Sequence, residues 1–577
     1  MNSLVLIIIA LVGYLLAYRL YGRFLGRKIL RLSADRVMPA HELKDGIDYV
    51  PTKRHIIFGH HFTTIAGLGP IVGPAIGIIW GWLPAFLWVF LGSIFMGAVH
   101  DFTTLVVSAR NKGKSIGELT AQIISPSTRY ALQFIMQLLL LIVLAVFAMI
   151  VGSLFVMYPE AVIPVWAQIP VAIWLGAQIR KGKNDLIYSI LALILLYSFV
   201  ILGVNVPVSL PWNKEVSVVV WCILLFVYVF FASTTPVQKL LQPRDYINSH
   251  QLLVAMALLI LGIIIAHPQM SAPAINEDAF LPGADVPDLV PILFIVIACG
   301  AISGFHALAS SGTTVKQINN ETDTLPVGYG AMITESFLAV LVIVAAGAGL
   351  GMGLEADGEV FTGLAAYKHH YASWSSASGL AAKLDAFIVG SANLFSSLGV
   401  PVKYGSAFVV VFIVSFANTT LDSAARIQRI SLQEIFTSSK GTIRKPMNNR
   451  YLATGVIVIA AAAMTFFKPG GQGAMVLWPL FGSLNQLMAA LALGVVTVYF
   501  AAKKIPIYFT LIPMLIILVL TLWAMMENLG GFIADGEVLL AVLSALILSL
   551  TLWLTWSSAW ALFKNPKRNT SPKTEHP

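Results

Sequence analysis

Fifteen stretches of roughly twenty residues, almost free of charge, follow one another along the chain, and nothing else in the sequence restricts the fold as much. The hydrocarbon core of a bilayer takes about 20 mostly apolar residues per helical span. Within it, only helices and closed barrels satisfy their own backbone. Barrel strands would alternate in character over about ten residues, whereas runs such as Leu138 to Val151 are continuous and therefore helical. Of the 577 residues 58% are apolar and only 11% charged, against about 25% charged in soluble domains. So little polar surface cannot coat a water-soluble globule. The expectation is an all-α polytopic membrane protein, folded as a single transmembrane domain over 1–577.

The spans are expected near 3–22, 56–80, 83–108, 130–157, 161–179, 185–205, 216–235, 250–267, 289–314, 329–351, 404–425, 451–467, 475–501, 505–526 and 538–561. The stretch 379–400 carries Lys383 and Asp385 and reads as an external re-entrant or interfacial helix. Lys and Arg stay on the cytoplasmic side of a membrane. Alternating spans from an outside N-terminus put thirty of the 36 Lys and Arg inside, eight of them in 23–54 and six in 426–450. The outside segments are acidic, with Glu277, Asp278, Asp285 and Asp288, then Glu355, Asp357 and Glu359. The C-terminus, a tail from about 562 to 577, falls inside.

The net charge of +9 does not point to nucleic acid, because no compact basic cluster interleaved with aromatics stands on a soluble domain. Cys222 and Cys299 are the only cysteines and both lie in expected spans, so neither a disulfide framework nor a zinc site is expected. The N-terminus has no basic leader or small-residue cleavage site, and Leu4 to Leu20 reads as a retained span.

Several spans are not plain apolar helices. The second reads Gly59-His60-His61-Phe62-Thr63-Thr64-Ile65-Ala66-Gly67-Leu68-Gly69-Pro70-Ile71-Val72-Gly73-Pro74. Proline removes a backbone donor and glycine raises the entropy cost of a helix, so this density predicts a break. Broken backbone at membrane depth persists where it is buried in protein or lines a cavity, and transporters use it to bind ions and anionic groups. The competing reading is a kinked span whose glycines serve close helix packing. The ninth span, Cys299-Gly300-Ala301-Ile302-Ser303-Gly304-Phe305-His306-Ala307-Leu308-Ala309-Ser310-Ser311-Gly312-Thr313-Thr314, offers hydroxyls for sodium or a carboxylate. Against that, Ser and Thr commonly bond back to their own helix.

Ionisable residues within spans are costly and default to functional candidates. They are His60, His61, His100, Asp101, His306, Glu335 and Asp422. Asp422 precedes Arg426 by one helical turn, which predicts a local ion pair and a structural role. Asp101 and Glu335 have no cation at helical spacing and are the better proton carriers. His60 and His61 stand near the expected membrane surface, where solvation or capping competes with substrate contact. Adjacent residues point about 100° apart on a helix, so at most one of the pair faces a cavity. Asn485 and Gln486 are expected to join neighbouring helices. The chain has no GxxxxGK[ST] loop, no HExxH spacing and no serine with a matched base, so no enzyme is expected.

Taken together, Gly59 to Pro74, Gly97-Ala98-Val99-His100-Asp101-Phe102, Ile302 to Thr314, Gly328 to Met332 with Glu335-Ser336-Phe337, Phe416 to Asp422 and Trp478 to Leu487 resemble the carbon starvation protein A (CstA) family of bacterial inner-membrane proteins. The resemblance implies a transporter induced when carbon is scarce, associated with peptides and, in related members, pyruvate. It also implies membership of the amino acid–polyamine–cation superfamily, with its leucine-transporter-like 5+5 inverted repeat. On that plan 3–22 is an extra helix, 56–425 the transport core and 451–561 extra C-terminal helices. The first core helix is 56–80, the sixth 216–235 with an interruption at Ala232 to Pro236, and the eighth 289–314. A sodium site of that architecture would fall at Gly67 to Gly69 with Ser310, Ser311, Thr313 and Thr314.

The expected function is a secondary transporter of the bacterial inner membrane, importing pyruvate or short peptides by proton or sodium symport. The candidate substrate-binding residues are His61, Gly67, Gly69, Gly73, Ser303 and His306. The candidate ion-coupling residues are Asp101, Glu335, Ser310, Ser311, Thr313 and Thr314. No cofactor is expected beyond Na+ or H+ as coupling ion, and the partners are a small-molecule substrate and the lipid bilayer. Two rivals stay open: a nutrient sensor or scaffold signalling through the 23–54 and 426–450 loops, and a passive channel.

Overall fold

Local sequence signals place several helix starts. Ser115 accepts a hydrogen bond from the Glu118 amide at the start of Ile116–Ile123, with Glu118 three residues on as in a capping box. Ser125 caps Pro126–Met157, whose first residue is the proline that a helix tolerates there. Asn184 and Asn213 cap Asp185–Asn205 and Lys214–Thr234. The computed structural model describes residues 1–437 and 446–564. Lys440, Arg444 and Lys445 of the 426–450 loop, and the tail from 565, lie outside the described residues.

Every expected span has a helical counterpart, and twelve are single helices long and apolar enough to cross a membrane. The other three depart from a simple span. Arg54–Ile65 and Gly69–Trp80 form a pair bent by 48° at 66–68, where the Gly/Pro density predicted a break. Arg450–Phe466 is helical for 17 residues only. The stretch 289–314, expected as one span, is two short helices, Leu289–Val296 and Gly304–Gly312, joined by an unwound 297–303.

Three further expectations need correction. Lys214–Thr234 is continuous, so the foreseen interruption at Ala232 to Pro236 is the end of this helix, where Pro236 cannot continue the ladder. The next helix, Leu241–Ala266, starts nine residues before the expected span at 250 and takes Arg244 and Asp245 into the protein interior. The 379–400 stretch contains the helix Leu380–Ser396. It is no surface helix: Leu384, Phe387, Ser391 and Leu394 are buried, and Gly390 lies against the carbonyl of Ala345.

Burial separates the centre from the rim. The most apolar window of Glu321–Met352 is 94% buried, that of Val538–Phe563 only 28%. The second helix shows Val542, Leu552 and Trp556 at its surface, as a lipid-facing helix should. Outside the helices, a short antiparallel hairpin pairs Leu354–Ala356 with Glu359–Phe361. The polar residues collect where the two broken segments meet. Gly73 makes that approach possible, since a Cβ there would stand 2.5 Å from the carbonyl oxygen of Val296. Gly97 does the same on the far side, with a Cβ position only 2.2 Å from the carbonyl oxygen of Ala301.

Candidate functional site

The unwound 297–303 segment delivers His306 to the protein centre. Asn485 fixes it by accepting hydrogen bonds from the Phe305 amide at 2.9 Å and the Ser303 hydroxyl at 3.1 Å. This amide joins neighbouring helices as expected, and it ends the break by capping Gly304–Gly312. His306 then stands between two acids from two other helices. Its Nδ1 is 2.9 Å from Asp101 Oδ2, and its Nε2 is 3.4 Å from Glu335 Oε2. The other carboxylate oxygen of Asp101 is 2.7 Å from His100 Nδ1. All four side chains are wholly buried.

Isolated charge in the membrane interior is expensive, and paired groups are the ones tolerated. Asp101 is held by two imidazoles, but neither oxygen of Glu335 finds a hydrogen-bond partner among the described residues. Two acids and a base within contact distance can exchange a proton among themselves with little movement. The sequence shows no local partner for Asp101 or Glu335, and the fold supplies an imidazole from the ninth segment.

The adjacent histidines of the first broken helix divide between two polar regions. His61 Nδ1 is 2.9 Å from Thr314 Oγ1, on the His306 side. His60 pairs through Nδ1 with Asp245, and its Nε2 is 3.0 Å from Gln317 Nε2. Both are fully buried in protein, so neither ring is solvated. The rotation of about 100° per residue holds, and it sends each ring to a different partner.

The second region centres on Arg244, also wholly buried. Its Nη1 donates to Asp422 and to the Tyr228 hydroxyl, and Tyr228 donates in turn to Asp422 at 2.6 Å. The expected pair of Asp422 with Arg426 is therefore overturned. Arg426 donates instead to Asp48 at 2.7 Å and to the carbonyls of Ala232 and Thr235 at the end of Lys214–Thr234. A one-turn pair on a helix stabilises by only about 0.2–0.5 kcal/mol, and buried partners across helices outweigh it.

The remaining candidates scatter. Ser311 and Thr313 donate to the Ala307 and Ala309 carbonyls of their own helix, at 2.7 and 3.2 Å. Ser310 is buried with no partner among the described residues. Gly67 packs on the Thr420 hydroxyl, Gly69 on Cys299 and Gly73 on Val296. His306, Asp101 and Glu335 are the expected residues that the fold brings together.

Sequence reasoning missed Arg244, Asp245 and Tyr228. A signal existed: Arg244, Asn248 and Gln251 repeat at helical spacing just after Pro243, a residue common in a helix's first turn.

In sequence, the chain is similar to known proteins over most of its length. The model of the family described as carbon starvation protein CstA matches residues 2–524. A peptide transporter CstA from Bacillus subtilis is 32% identical over 95% of this chain and 95% of its own. One from Campylobacter jejuni is 31% identical over 94% of this chain and 82% of its own. A pyruvate/proton symporter, BtsT, from Escherichia coli is 32% identical over 91% of this chain and 81% of its own. Among solved structures, a manganese transporter mutant from Eremococcus coleocola covers 90% of this chain and 99% of its own, at TM-score 0.46 and 12% identity. The chain belongs to the carbon starvation protein CstA family and is a multi-pass membrane transporter of nutrients.

Proposed function

We propose that the protein imports small carboxylate-bearing nutrients, pyruvate or short peptides, across the bacterial inner membrane together with a proton. The observation that carries this reading is the buried contact of His306 with both Asp101 and Glu335. Three titratable groups drawn from three helices can take a proton from one side and release it to the other as those helices shift. The name of the Escherichia coli relative, a pyruvate/proton symporter, favours proton over sodium as the coupling ion.

The transport core is the stretch 56–425, which holds both polar regions between His60 and Asp422. The N-terminus lies outside and the C-terminus in the cytoplasm, following the distribution of Lys and Arg. The protein has no catalytic role and needs no resident cofactor.

Purified protein in liposomes tests the reading through labelled pyruvate and a labelled dipeptide, with proton, sodium and electrical gradients imposed separately. Accumulation should follow the proton gradient and be indifferent to the sodium gradient. One proton entering with a monocarboxylate carries no net charge, so the membrane potential should leave pyruvate uptake unchanged. A zwitterionic dipeptide with one proton carries a single charge, for which the potential contributes about 2.3 kcal/mol per 100 mV. Uptake that follows sodium, or never exceeds the bath concentration, would refute symport with protons.

A further inference from the structure

Arg244 is a permanent cation inside the membrane with half of its guanidinium unused. Nη1 serves Asp422 and Tyr228, and the guanidinium carbon stands 5.3 Å from the centre of the Tyr228 ring. Nε and Nη2 are both buried and find no hydrogen-bond partner among the described residues. These two nitrogens form one edge of the planar group. Their N–H bonds point the same way, at the spacing of the two oxygens of a carboxylate.

The other buried arginines are not built so. Arg426 and Arg429 use both terminal nitrogens, on Asp48, Gln433 and backbone carbonyls, and leave Nε alone without a partner. Leaving charged donors unsatisfied in a dry interior costs more than an ordinary missing hydrogen bond. A purely structural ion pair would be expected to engage the whole group.

The surroundings place this edge close to the first broken helix. Asp245, the next residue, accepts at its backbone carbonyl from Thr63 Oγ1 at 2.9 Å. That contact packs the turn carrying Arg244 against Arg54–Ile65, three residues before the break at 66–68. The negative charges facing Arg244 are Asp422, which it already pairs with, and Asp245, which His60 engages. Asn248, one turn along the same helix, donates from its amide to Thr419 at 2.7 Å and ties this helix to Val402–Ile435. Four helices therefore meet at this point: Arg54–Ile65, Lys214–Thr234, Leu241–Ala266 and Val402–Ile435.

We infer that the free Nε and Nη2 edge of Arg244 binds the substrate's carboxylate side-on, with Asp422 holding the opposite edge and competing for the same positive charge. The inference rests on the proposed import of small carboxylates and names the residue that selects them. Since Arg244 is wholly buried, the carboxylate reaches it when the surrounding helices part, as alternating access requires of any transported solute.

The test is equilibrium binding and uptake with the full chain in lipid, using pyruvate and alanylalanine, each beside its own carboxyl amide. Wild type should prefer at least one acid over its amide by roughly tenfold or more, the worth of a charge-assisted bidentate contact. Arg244→Lys keeps the charge and loses the fork. It should weaken binding of that acid by roughly tenfold while the amide binds as in wild type, abolishing the preference. Asp422→Asn removes the competing charge and should bind the acid more tightly, by about threefold or more.

A folded Arg244→Lys variant with wild-type acid affinity and acid-over-amide preference would overturn the role of Arg244 and leave the transport reading standing. Wild type that neither binds nor accumulates either acid would overturn both. If Arg244→Lys does not fold, Asp422→Asn decides: tighter acid binding supports the site, and unchanged or weaker binding overturns it.

Discussion

The two polar regions flanking the first broken helix share burial and depth in sequence space, yet their chemistry differs. Around His306 every group can gain or lose a proton: His100, Asp101, His306 and Glu335 form a chain of contacts in that order, with no permanent charge among them. Around Arg244 the positive charge is fixed, because a guanidinium stays protonated in proteins, and its neighbours are a carboxylate, a phenol and an amide side chain. The first arrangement suits a mobile proton and the second a bound anion. His60 and His61, one residue apart, contact the two regions separately. Movement of a single helix would therefore be felt in both, which is the minimum that coupling requires.

The sharpest way to break this division is to disable one region and measure the other. Glu335→Gln should lower proton-driven accumulation by about 100-fold or more, the scale on which a proton-transferring group acts. Equilibrium substrate affinity should change by less than about threefold, and Asp101→Asn should behave alike. Equal losses in affinity and accumulation would mean that the two regions are a single site.

An ion cluster that engages both terminal nitrogens of each arginine sharpens the contrast. Asp48, in the loop after the first span, bridges Arg426 at 2.7 Å and Arg429 at 3.0 Å. Burial alone would raise its carboxyl's pKa, but Arg429 and Arg426 outweigh that and hold it well below the usual carboxylate range. A depressed folded pKa contributes stability above the unfolded value, near 3.9, that is lost as the pH falls. Asp48→Asn should therefore destabilise the protein by about 3 kcal/mol at neutral pH. The gap between its unfolding temperature and that of the wild type should start to narrow only as the pH falls below about 4, and close only when the pH passes the depressed folded value. Substrate affinity should not follow, because this cluster holds no free edge for a ligand.

Packing at the break gives the smallest of these effects. Gly73→Ala forces a Cβ against the Val296 carbonyl, and because that neighbour is backbone it should cost about 1–3 kcal/mol. Gly531→Ala, in the peripheral Tyr508–Ala534 helix with nothing within 4 Å of its Cβ position, should change stability by about 1 kcal/mol or less, in the stabilising direction. Thermal unfolding of the two variants separates glycines that shape the centre from those that do not.

How far the sequence could be read follows the same divide. Helix positions came from runs of apolar residues, a local property, and each expected span met a helix. The break at 66–68 was also local, carried by Gly67, Gly69 and Pro70. The break at 297–303 was not, because what sustains it lies elsewhere: Gly73 and Gly97 make room and Asn485 caps the restart. Arg244 looked like a loop residue because a charge near a span's end is usually solvated. Its partner Asp422 lies 178 positions away. Asp422 in turn looked paired with Arg426 because spacing along one helix is all a sequence displays. The proton-carrier candidates were legible because an acid within an apolar run is conspicuous by itself. The carboxylate site was not, because it exists only where four helices meet.

The measurement that bears most directly on the account is proton entry driven by substrate. Liposomes carrying the protein and an internal pH indicator would receive pyruvate or alanylalanine outside, with sodium absent. The account predicts that the lumen acidifies on addition of a transported acid, in proportion to labelled uptake, and that Glu335→Gln and Asp101→Asn abolish the acidification. Uptake without acidification, or acidification that survives both substitutions, would contradict it.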